Sequence, residues 1–86
     1  MADIRYRLTA HAATVIAERE IDPDWVRRVL SGPDWTETDQ SDPSLTHALG
    51  RIAERDHRVL RVVYNASVHP LRVVTAYFDR RQRGKP

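Results

Sequence analysis

The sequence predicts an α+β fold: two short helices packed on one face of an antiparallel four- to five-stranded sheet. Three observations predict it. Arg58 to Asp79 holds two runs, R-V-L-R-V-V-Y-N and L-R-V-V-T-A-Y-F-D, joined by the short polar stretch A-S-V-H-P. Their β-branched and aromatic residues suit a pleated, half-buried surface, so the pair reads as a β-hairpin in the middle of the sheet. Asp22-Pro23-Asp24 is a strong helix-start signal after an earlier helical stretch. The last strands are joined by short turns, which makes them antiparallel, and two helices on one face complete a two-layer sandwich.

The elements follow in order. Ile4 to Leu8 alternates apolar and basic residues, a half-buried strand with Ile4, Tyr6 and Leu8 inward and Arg5 and Arg7 outward. Thr9 is an N-cap for a helix running from Ala10 to about Glu20. Its stripe of Ala12, Val15, Ile16 and Arg19 is narrow and ends in a charge. The second helix covers residues 22–31. Asp22 caps it, Pro23 occupies its first position, and Ile21 and Val26 have staple spacing. Trp25, Val26, Val29 and Leu30 are its buried stripe, Gly32 is expected to turn left-handed, and Pro33 ends it. Residues 34–39 alternate weakly and read as an edge strand. Residues 40–44 read as a loop. Residues 45–54 balance helix-forming residues against a central Gly50, and strand is preferred because Asp56-His57 makes a turn into the Arg58 run.

Length and composition bound the class. With 86 residues, the chain is read as one domain over residues 1–79 and a basic tail over 80–86. It is 41% hydrophobic and 30% charged, as folded proteins are. It holds no run of membrane-spanning length, no signal-peptide core at the N-terminus and no cysteine, so a cytoplasmic location is expected. Charge is uneven. Residues 18–42 carry eight acids against three arginines, a balance of −5; residues 43–86 carry nine bases against three acids, a balance of +6. A basic half suggests an anionic partner, nucleic acid first. Thirteen of the fourteen bases are arginine, which suits bidentate phosphate contact but also follows from genome composition.

Motifs for chemistry are few. The four histidines, at 11, 47, 57 and 69, have no metal-ligand spacing, and no phosphate-cradling glycine loop or G-x-S-x-G is present. No cofactor or metal is expected. His11, at the start of the first helix beside a basic strand, is the candidate proton carrier, set against a polar helix-start role. His47, His57 and His69 read as strand or turn residues. Arg58, Arg61 and Arg72 lie on the hairpin. An arginine among valines either packs its stem or faces an anion groove. Arg61 and Arg72 share a face only if paired residues have numbers summing to an odd value, so register decides. Tyr77 and Arg80, followed by Arg81 and Arg83, could stack on a base and hold phosphate; core packing and a solvated terminus are the plain alternatives. The helices can cover only one side of the sheet, so guanidinium groups are expected to line a hollow on the other.

Thr9-Ala10-His11-Ala12, then Glu18-Arg19-Glu20-Ile21, then the proline-started helix and the terminal V-V-T-A-Y strand resemble a small bacterial family of unknown function. That family in turn resembles the RelE-like superfamily, near the BrnT-type toxins. The resemblance implies a strand, two helices and an antiparallel sheet. It also implies a metal-independent endoribonuclease of a type II toxin-antitoxin pair. Such an enzyme cleaves RNA, in some cases ribosome-bound, by attack of the ribose 2′-hydroxyl, and a cognate antitoxin neutralises it. That chemistry needs a base, a cation for the phosphorane and an acid for the leaving oxygen. By resemblance, His11, Arg61, Tyr77 and Arg80 are the catalytic candidates, with Arg58, Arg72, Arg81 and Arg83 on RNA. The chain departs from the pattern in having one lysine, Lys85, and no lysine-rich helix. Two other readings stand beside this one: a non-catalytic RNA- or protein-binding module of the same fold, and a small homodimeric regulatory protein.

Overall fold

The structure, a computed structural model, describes residues 4–80. The elements are β1 (Tyr6–Leu8), α1 (Ala10–Glu18), α2 (Pro23–Ser31), β2 (Trp35–Thr38), β3 (Leu45–Ile52), β4 (Arg58–Asn65) and β5 (Leu71–Phe78), with one 3-10 turn, Ala53–Arg55. The sheet order is β1-β5-β4-β3-β2. The expected hairpin, β4 and β5, therefore lies inside the sheet, and β2 forms one margin. The sheet is mixed rather than wholly antiparallel. β1 runs parallel to β5, with Tyr6 beside Leu71 and Leu8 beside Val73. The other pairs are antiparallel. The parallel pair arises because the two helices carry the chain back across one face before the later strands are laid down.

Local signals set the helix ends. The Thr9 hydroxyl accepts from the Ala12 amide at 3.0 Å and caps α1. Thr9 also ties that end to β5, donating its own amide to the Val73 carbonyl at 3.0 Å. At the other end the Ile21 amide reaches the Ile16 carbonyl at 3.0 Å, and the Glu20 amide reaches the Ala17 carbonyl at 3.1 Å. That pair of bonds is a Schellman turn, and its left-handed residue is Glu20, with φ 55°. Asp22 caps α2 through the Asp24 amide at 2.9 Å. Gly32 has φ −151° rather than the left-handed value expected of it. The chain there leaves extended because Asp34 must reach β3, donating its amide to the Leu49 carbonyl at 2.8 Å.

Both helices pack on one face of the sheet. Ala12, Ile16, Ile21, Val26, Val29 and Leu30 meet Ala48, Ile52, Leu60, Val62, Val73 and Ala76 in one core. Gly50 explains why residues 45–52 can be strand beneath a helix. A Cβ there would stand 3.1 Å from Val29 Cγ2, so α2 lies close over β3 and an alanine would require the Val29 side chain to shift. Arg19, the charge that ends the α1 stripe, donates from Nη1 to the Ala76 carbonyl at 2.8 Å. Leu8, expected inward, is 40% exposed, because β1 is a three-residue margin strand with a neighbour on one side only. No helix of the described residues is long and apolar enough to cross a membrane.

Candidate nucleic-acid interface

Neither helix packs on the other face of the sheet. Side chains alternate along a strand, and register partners share a face. Trp35, Leu49, Arg61 and Tyr77 therefore form one row across β2, β3, β4 and β5, and Glu37, His47, Val63 and Thr75 form the next. Arg61 stands at the centre of this face, and it is buried, with 6% exposure. Its guanidinium is fully engaged. Nε and Nη2 meet Asp79 Oδ2 at 2.9 and 2.7 Å, and Nη1 meets Glu37 Oε1 at 3.0 Å. Nη1 also lies 2.7 Å from His47 Nδ1. An arginine can only donate, so His47 Nδ1 accepts there, and its Nε2–H donates to Asp39 Oδ1 at 2.7 Å. A chain of hydrogen bonds thus runs from Asp39 through His47 to Arg61, and from there to Glu37 and Asp79.

Proton affinities follow from these contacts. The hydrogen bond from Arg61 holds the Glu37 carboxyl below the usual glutamate range, against a smaller upward push from burial. Asp39 is held low by His47 and by the amides of Asp42 and Ser41. For Arg61 burial pushes down, but the bonds to Glu37 and Asp79 prevail and its affinity rises. Arg61 is therefore a cation whose field two carboxylates already neutralise. Leu49, Val59 and Val63, on the same face, are buried. The expected arginine-lined hollow does not occur at the centre of the sheet.

The other candidates are scattered by the fold. His11 is exposed on α1, on the helix side, while Arg61 projects from the opposite face; the sheet separates the two. Arg58 has the alternation of Leu60 and Val62, and stacks over the Phe78 ring at 5.5 Å on the helix side. Tyr77 is the register partner of Arg61 and half-buried. Arg80 is exposed just past β5. Arg81 and Arg83 lie outside the described residues.

Arg72 does reach the uncovered face, by a route that periodicity alone conceals. Arg61 pairs with Tyr77, an even sum that would place Arg72 on the helix side. Between Val63 and Tyr64 the register shifts, so that Thr75 faces Val63, Val73 faces Tyr64, and Val74 is extra. This bulge flips the remaining residues, and Arg72 pairs with Asn65 on the face of Arg61. Its other register partner is Arg7 of β1. Arg7 and Arg72 are exposed neighbours, Arg5 lies two positions before Arg7 and is exposed too, and none of the three has a carboxylate partner among the described residues. Sequence reasoning did not include Arg5 and Arg7 among the candidates, having read them only as the outward side of a strand. Their basic alternation was the available signal. No group of three or more metal-ligating side chains is gathered among the described residues.

A two-layer α+β domain whose helix-free sheet face is buried at its centre and cationic at the β1 margin is the class that fold and site define. The chain belongs to the DUF4258 family, a domain of unknown function, whose sequence profile matches residues 8–78. No curated protein is similar to it at a significant level. Nor is any solved structure.

Proposed function

We propose that this protein is an RNA-binding module of the RelE-like type, which holds RNA on the cationic end of its uncovered sheet face without cutting it. The pair Arg7–Arg72, with Arg5 beside it, carries this reading. Like charges set directly side by side in a sheet destabilise it. No carboxylate of the described residues relieves this pair, and a polyanion would. Single-stranded RNA supplies phosphates for the guanidiniums, and flexibility to follow a twisted sheet.

The ribonuclease reading, with its antitoxin partner, is the second, and one observation favours it. Tyr77 and His47 flank Arg61 on the uncovered face, so a phenol, an imidazole and a guanidinium adjoin one another. Arg61 would have to leave Asp79 and Glu37 before it could face a phosphorane. His11, on the helix side, has no part in that arrangement.

One titration separates the two readings. A fluorescent single-stranded RNA of about 20 nucleotides is bound across a salt series, then incubated with chelator and run on a gel. Binding should weaken steeply with salt. The double variant R7A/R72A should lower the slope of log affinity against log salt by about 1.4, at ~0.7 per phosphate contact. An unchanged slope in that variant overturns the proposal. Metal-independent products lost in R61A and Y77F establish the second reading instead.

A further inference from the structure

A cleft of about 900 Å³ lies where β1 begins beside the turn between β4 and β5. Its lining includes Ile4, Arg5, Arg7, His69, Pro70 and Leu71, and among the described residues no aspartate or glutamate contributes to it. It is large enough for a ligand of nucleotide size. Its chemistry is asymmetric. Pro70 gives it apolar surface, His69 supplies an aromatic ring, and Arg5 and Arg7 provide the charge, while Ile4 and Leu71 pack against the core on its helix side. Arg72, on the neighbouring strand, does not line it.

We infer that this cleft holds a nucleoside phosphate monoester, the terminal nucleotide of the bound RNA. The inference rests on the RNA-binding reading and deepens it. A phosphate within an RNA chain is a diester with a single negative charge, and one guanidinium satisfies it. A terminal monoester carries about −1.5 to −2 near neutrality and three free oxygens. Arg5 and Arg7, two fork-shaped donors with no carboxylate partner among the described residues, match that charge. The base then lies against His69 and Pro70, since unstacked bases are taken up on aromatic rings and apolar surface. A 5′-phosphate, a 3′-phosphate and a free mononucleotide share this chemistry.

Three forms of one 10-nucleotide RNA distinguish them: 5′-phosphate, 3′-phosphate, and hydroxyl at both ends. Adenosine monophosphate serves as competitor. One phosphorylated form should bind about tenfold tighter than the hydroxyl form, the size of a charge-assisted contact. R5A should abolish that preference, so that within this variant the phosphorylated and hydroxyl forms bind alike. R72A should weaken all three forms alike. Equal affinity for the three forms, with salt-dependent binding intact, overturns terminal recognition and leaves the RNA-binding reading standing. Binding of the mononucleotide, lost in R5A, without binding of any RNA keeps the cleft as a nucleotide site and overturns the RNA-binding reading. No binding of any probe ends both.

Discussion

Arg61 shows how one residue type can carry two opposite meanings in a sequence. An arginine among Val59, Leu60, Val62 and Val63 is either a site for an anion or a buried charge with partners of its own. The partners decide, and they come from positions 37, 47 and 79, on three other parts of the chain. No spacing in the sequence links them. With partners present, the guanidinium is structural, and removing it takes away the ion pair it makes with Asp79, which is 5% exposed. Arg61→Ala should therefore cost about 3–5 kcal/mol of stability, because it breaks a buried ion pair by removing one member. Urea unfolding measures it. Replacing both groups together, Arg61→Met with Asp79→Leu, should cost less than Arg61→Ala alone. A loss below about 1 kcal/mol in the single variant would show that the ion pair contributes no more than an exposed one.

At the scale of elements, the ends of α1 and the middle of β5 carry the local information. Thr9, Asp22 and Pro23 were readable as caps, since capping depends on a residue and its next three neighbours. The Schellman turn was not, because a glutamate stands where glycine is usual. Glu20→Gly should raise stability by about 1 kcal/mol, since glycine adopts φ 55° without the Cβ penalty. A thermal melt with no increase in Tm would mean that this turn is not strained. The bulge at Val74 lies further from what spacing can show. It depends on which residues face one another across β4 and β5, and it alone returns Arg72 to the uncovered face.

At the scale of the molecule, charge is divided between the two margins of the sheet. β1 brings arginines to one side, and the β2 segment carries Asp34, Glu37 and Asp39 on the other. Acid should act through the second margin. Glu37 and Asp39 are depressed in the folded state, so their stabilisation is complete above the ordinary carboxylate values of 4.5 and 3.8. It is lost as pH falls through the lower folded values, where the native state must take up protons against Arg61 and His47. The urea midpoint should stay level from pH 7 to about 5 and fall below that, and Glu37→Gln should flatten the fall. A fall already complete at pH 6 would assign the transition to a histidine.

The α+β class, the helix caps, the edge position of residues 35–38 and the central hairpin were determined by sequence alone. Each rests on periodicity or on a residue acting within one turn of itself. The parallel placement of β1, the bulge, the neutralisation of Arg61 and the meeting of Arg7 with Arg72 were decided only in the tertiary structure. Each depends on strand order and register, which bring together residues far apart in the chain. Side-chain direction inverts with a register change of one residue, so no local pattern could foretell which arginines would be spent on carboxylates and which would remain free for a partner.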